Sequence, residues 1–110
     1  MVKFGDQPWP FRGRVVWLTS DQGGRRQGPI WDLDRSDYCQ TAHVPPHGDE
    51  EGGVASFCLR GFAPGKWTSP AEGRWLLVEN AGAQFVVPGM VLVINEGARI
   101  TAYFHVLEVI

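Results

Sequence analysis

The chain has 110 residues, of which 44% are hydrophobic and 20% are charged, and its formal net charge is −2. This length fits one domain, and its 22 Gly and Pro residues leave no room for the long helices of a coiled coil, a helical bundle or a helical repeat. The weakly acidic charge argues against extensive phosphate contacts, and the lack of an eighteen-residue apolar run argues against a membrane-spanning helix.

The first ten residues contain two prolines and no hydrophobic period. They predict a loosely ordered arm over residues 1–10, in which we expect Trp9 to pack on the single domain that follows. No apolar core of seven or more residues is present near Met1, so no signal peptide is predicted. We therefore expect a cytoplasmic protein without membrane association.

Short segments rich in β-branched and aromatic residues alternate with turn residues along the rest of the chain. The first predicted strand covers residues 11–19. A tight turn is predicted after it at Gly23 and Gly24, since adjacent glycines permit the positive φ that such a turn requires. Pro64-Gly65 and Pro70 are interpreted as bracketing a connection. Further strands are predicted over residues 38–44, 54–60, 74–79, 90–94 and 99–110, and residues 84–87 would add a seventh. The class is therefore all-β.

Two turns, one near each end of the chain, carry a family resemblance. The first strand leads into Asp21-Gln22-Gly23-Gly24-Arg25 with Pro29 close behind, and the last two strands flank Asn95-Glu96-Gly97-Ala98-Arg99. In order and spacing these turns resemble those of the third, C-terminal domain of elongation factor Tu. The resemblance covers residues 11–40 and 85–110. With the strand count, it implies a single domain over residues 11–110, a closed six- to seven-stranded antiparallel Greek-key β-barrel.

The chain departs from that family in several places. Ala98 replaces the second glycine of the closing turn, the family's Tyr-Arg-Pro is missing after the first loop, and no phosphate-binding glycine loop is present. We therefore expect a stand-alone relative of the barrel and not a translation factor.

In elongation factor Tu this domain contacts transfer RNA, the exchange factor and its own GTPase domain. The resemblance thus implies a non-catalytic binding module here, and the acidic net charge favours a protein partner over RNA. A homodimer formed through a strand edge or an apolar patch is compatible with this function.

Arginines beside glycine turns and tryptophans in loops suit a binding surface, although the same turns also fit ordinary hairpins and the same rings could cover the barrel. The predicted partner-binding residues are Gly23, Gly24, Arg25, Arg26, Glu96, Gly97, Arg99, Trp31 and Trp67.

The alternative is a small-ligand-binding or enzymatic barrel with the loops 25–37 and 45–53 as lids. No serine has a Gly-x-Ser-x-Gly context, and the His, Cys and acidic residues lack the usual spacing of zinc or calcium ligands. The sequence therefore predicts no catalytic residue, no metal and no cofactor.

The chain has two cysteines, Cys39 and Cys58. In a chain expected to be cytoplasmic, they are interpreted as unpaired buried thiols. Because Cys58 lies within an apolar predicted strand, we expect its thiol to be unreactive.

Overall fold

The computed structural model describes residues 8–24, 38–45, 54–76 and 86–110. These ranges contain one short 3-10 turn, η1 (Ser20–Gln22), and six strands, namely β1 (Phe11–Trp17), β2 (Tyr38–His43), β3 (Val54–Arg60), β4 (Thr68–Trp75), β5 (Val91–Glu96) and β6 (Arg99–Val109). The predicted all-β class is confirmed.

The six strands pair antiparallel and close into a barrel in the order β1–β4–β3–β2–β5–β6, with β6 returning to β1. Strands β2, β3 and β4 are consecutive neighbours and β1 lies beside β4, which is the Greek-key arrangement. The prediction of a closed antiparallel barrel is therefore confirmed.

Aromatic rings fill the interior. The ring of Phe57 lies 5.1 Å from that of Trp75, 5.7 Å from Phe104 and 5.9 Å from Phe11, measured between centroids. All four side chains are buried, and removal of surfaces of this size from water is a main source of folding free energy. Gly73 faces this stack at a point where a Cβ atom would come within 2.5 Å of the Phe57 ring.

The predicted and observed strands differ most at β4. The sequence predicts a connection reaching Pro70 and a strand over 74–79, whereas β4 runs from Thr68 to Trp75. The short strand predicted to include Val86 and Val87 is also wrong for these two residues, which lie outside the strands. Residues 77–85, on which the rest of these two predictions falls, lie outside the described residues.

The position of Pro70 in the ladder explains why a proline is tolerated within β4. Trp17 N–H donates to Trp67 O at 2.8 Å, so these two residues form a hydrogen-bonded pair. Hydrogen-bonded and non-hydrogen-bonded pairs alternate along an antiparallel ladder. By this alternation Arg14 and Pro70 form a non-hydrogen-bonded pair of the β1–β4 ladder. The nitrogen of Pro70 therefore faces the β3 side, where the pairing has already ended at Glu72. No ladder hydrogen bond is lost at such an edge position.

The expectation of unpaired thiols is wrong, because Cys39 and Cys58 form a disulfide. The register of β2 against β3 places the two residues directly opposite each other, with their Cα atoms 4.0 Å apart. A separation of 19 residues in sequence does not reveal this proximity, since it depends on the strand register. The link joins two neighbouring strands of the barrel.

Residues 8–10 pack against the barrel. Trp9 is buried, as expected. Ile110 N–H donates to Pro10 O at 2.7 Å, which ties this segment to the end of β6. The rest of the predicted arm, residues 1–7, lies outside the described residues.

Candidate docking site at one end of the barrel

Both turn motifs lie at the end of the barrel where β1 stops. In the barrel, β1 and β2 are separated by the β5–β6 hairpin, so the connection that leaves β1 begins beside the turn of that hairpin. Arg99 Nη1 donates to Gly24 O at 3.0 Å, across 75 residues of sequence. We call this end, formed by residues 17–24, 61–68 and 96–101, the Trp67 end.

The first turn is held by hydrogen bonds among its own residues. Thr19 caps η1: its N–H donates to Gln22 Oε1 at 2.9 Å, and its Oγ1 accepts from Gln22 N–H at 3.3 Å. Gly23 adopts the left-handed conformation, with φ of 86°. At Gly24 a Cβ atom would overlap the carbonyl of Leu18. Both glycines are thus required by the local backbone, whether or not a partner binds.

A small polar cluster holds the second turn. The Tyr38 hydroxyl donates to Glu96 Oε2, and Thr101 Oγ1, which is fully buried, lies 3.1 Å from the same hydroxyl. The Tyr38 and Trp17 rings pack edge to face, with 5.0 Å between their centroids. Glu96 and Arg99 pair at the ends of the hairpin, so both charged residues of this turn have contacts within the chain.

The β3–β4 connection holds Trp67 in a fixed backbone position. Trp17 N–H donates to Trp67 O at 2.8 Å, and Ala63 N–H donates to the buried Ser69 Oγ at 3.0 Å. Phe62 anchors the same connection by packing its ring 5.6 Å from that of Trp17. The Trp67 side chain nevertheless remains 47% exposed. A half-exposed apolar ring is therefore attached to a backbone that hydrogen bonds hold in place.

The structure places six of the predicted partner-binding residues at the Trp67 end: Gly23, Gly24, Glu96, Gly97, Arg99 and Trp67. The other three, Arg25, Arg26 and Trp31, lie outside the described residues, as do loop 25–37 and all of loop 45–53 except Pro45. Sequence reasoning missed Tyr38 and Thr101, because their partners are 58 and 63 residues away along the chain.

The described residues also bear on two other kinds of site, a metal centre and a membrane-spanning segment. Within the described ranges, no group of three or more His, Cys, Asp and Glu residues is placed to hold a metal ion. Cys39 and Cys58, which a zinc site would need as thiolates, are joined to each other. The described ranges contain no candidate for a membrane-spanning helix.

Comparisons with protein-family models, with curated proteins and with solved structures find no match. The resemblance of the two turns to the third domain of elongation factor Tu stays a prediction. The geometry of the Trp67 end is therefore the basis for a functional assignment.

Proposed function

We propose that the protein is a non-catalytic binding module that docks a protein partner through the Trp67 end. The observation that carries this proposal is the half-exposed Trp67 indole on a hydrogen-bonded backbone. Tryptophan is among the residues most enriched at the energetic centres of protein interfaces. Because its backbone is held in place, little further ordering is needed when a partner packs on the ring.

The filled interior supports binding at the surface. The ring stack around Phe57 occupies the space that a ligand-binding barrel would need for a small molecule. The resemblance to a docking domain of elongation factor Tu supports the same function.

A protein is favoured over RNA as the partner. The net charge of the chain is −2, whereas RNA binding relies on a surplus of Lys and Arg at the contact surface. Arg99, the cation of the closing turn, donates to a carbonyl of its own chain. The exposed indole offers an apolar contact, which suits a protein surface.

The experiment compares two exposed apolar residues at different ends of the barrel. Leu107 is 68% exposed and lies in β6, roughly 26 Å along the strand from Arg99. Immobilised wild-type protein, Trp67→Ala and Leu107→Ala are incubated with extract of cells that express the protein, and captured proteins are quantified by mass spectrometry. We expect Trp67→Ala to lower capture of the partner about 30-fold, a hot-spot loss of about 2 kcal/mol, and Leu107→Ala to leave it unchanged.

The controls separate docking from folding and protein from RNA. Thermal unfolding of Leu107→Ala should resemble wild type, since this side chain is largely exposed, and the unfolding transition of Trp67→Ala must lie above the assay temperature, since its ring is half-exposed. Capture should persist after the extract is treated with ribonuclease. Equal capture by wild type and Trp67→Ala would contradict the proposed surface, and capture abolished by ribonuclease would replace the protein partner with RNA.

A further inference from the structure

A buried arginine, Arg74, shares the outer face of the barrel with the disulfide. Cys58 in β3 and Arg74 in β4 are direct register partners, and directly opposed side chains share one face with Cβ atoms about 5 Å apart. Their chain neighbours Phe57 and Trp75 belong to the interior core, so this shared face is the outer one. The exposed fractions of Cys58 and Arg74 are only 0% and 1%.

Arg74 is fixed in this position by carbonyl groups. Its Nε donates to Trp75 O at 3.0 Å, and its Nη1 donates to Pro8 O at 3.2 Å. Burial lowers the pKa of the Arg74 guanidinium, and the positive charge of Arg60 lowers it further. A guanidinium nevertheless stays protonated at neutral pH, so an anion formed at the neighbouring Cys58 sulfur would be stabilised.

The two sulfur-bearing residues differ in access. Cys58 is fully buried, whereas Cys39 in the neighbouring strand is partly exposed. In thiol–disulfide exchange, the accessible sulfur is attacked and the other sulfur leaves as a thiolate. A leaving thiolate forms faster when a cation stabilises it.

We propose that the Cys39–Cys58 disulfide is a thiol-exchange site for low-molecular-weight thiols, attacked at the Cys39 sulfur. The attacking thiolate forms a new S–S bond with Cys39 Sγ, and the electron pair of the broken bond goes to Cys58 Sγ beside Arg74. A second thiolate then attacks the sulfur of the bound low-molecular-weight thiol and releases Cys39 as a thiolate, which takes a proton from water. The two protein sulfurs gain two electrons, and the two small thiols are oxidised to their disulfide.

The first test maps the mixed disulfide in the oxidised, folded wild-type protein. The protein is exposed briefly to reduced glutathione, quenched with acid and N-ethylmaleimide, and cleaved after Glu50 and Glu51, which separates the two cysteines. We expect at least tenfold more glutathione on Cys39 than on Cys58. In denaturant, the same treatment should place similar amounts of glutathione on Cys39 and Cys58, because the difference in their accessibility exists only in the folded barrel.

The second test addresses Arg74. Arg74→Met should slow the first exchange step about tenfold by removing the cation, whereas Arg74→Lys should retain most of the rate. Arg14→Met, at an exposed position of β1, is the matched control and should exchange like wild type. If Arg74→Met does not fold, the mapping of glutathione on the folded wild-type protein carries the test.

Three results would overturn the proposal. They are glutathione found mainly or equally on Cys58, a folded disulfide that glutathione does not attack, and an unchanged rate in a folded Arg74→Met variant. None of these results concerns Trp67 or partner capture, so failure of this proposal would leave the docking proposal unaffected.

Discussion

Gly73 lies in β4 beneath the rings of Phe57 and Phe104, where a side chain would meet the first at 2.5 Å and the second at 3.0 Å. Both rings are fully buried and packed on each other at 5.7 Å, so they have little freedom to move aside. The glycine is therefore a packing requirement at the centre of the barrel.

Gly73→Ala should lower the free energy of unfolding by about 2 kcal/mol, because an added methyl group overpacks the ring stack. Urea unfolding monitored by circular dichroism measures this change. In a Phe57→Leu background the same substitution should cost less than about 1 kcal/mol, since the obstructing ring is gone. Equal costs in the two backgrounds would show that the strain arises elsewhere.

Among the described residues, two long-range hydrogen bonds join the start of the β1–β2 connection to the β5–β6 hairpin at the Trp67 end, and one of them runs from Leu18 N–H to Thr101 O at 2.9 Å. Arg99 donates to Gly24 O, while Gly24 N–H donates to Thr19 O at 2.8 Å. The cation of the closing turn thus has a structural role in addition to any role at an interface.

Arg99→Met should loosen this connection while the barrel stays folded. Loss of one hydrogen bond from a charged donor costs about 1–2 kcal/mol locally, so the amides of Gly23 and Gly24 should exchange with solvent about tenfold faster. Hydrogen exchange followed by NMR measures them individually. Arg12→Met, at an exposed position of β1, is the control. Equal amide exchange rates at Gly23 and Gly24 in the two variants would mean that the hydrogen bond from Arg99 to Gly24 O does not stabilise this turn.

The barrel could be predicted from the sequence at the level of whole elements. The segments around β1, β2, β3, β5 and β6 are short, rich in β-branched or aromatic residues and bounded by turn residues. Strand β4 could not, because Pro70 is acceptable only where the neighbouring strand has ended. That fact depends on the register of three strands and leaves no local pattern.

The candidate site could be predicted only in part, because some of its features leave a local pattern in the sequence and others depend on strand pairing. Glycine turns and loop tryptophans are visible in the sequence, and they mark Gly23, Gly97 and Trp67. The bond from Tyr38 to Glu96 and the pairing of the cysteines are not visible. Both depend on which strands become neighbours after closure.

At the scale of the whole molecule, closure leaves two separate regions of the described surface for which a function is proposed. The interior is filled by the ring stack, so contacts with other molecules are assigned to the surface. At the Trp67 end, a half-exposed indole lies on the hydrogen-bonded β3–β4 connection. The disulfide lies on the outer face of β2 and β3. Docking is proposed for the first region and thiol exchange for the second.

The central claim, docking through the Trp67 end, is tested most directly by hydrogen–deuterium exchange of the protein alone and in complex with its captured partner. We expect slower exchange in residues 61–68 and 96–101 of the complex, and unchanged exchange in residues 86–90 and 107–110 at the other end of the barrel. Protection confined to residues 86–90 and 107–110, with 61–68 unaffected, would contradict it.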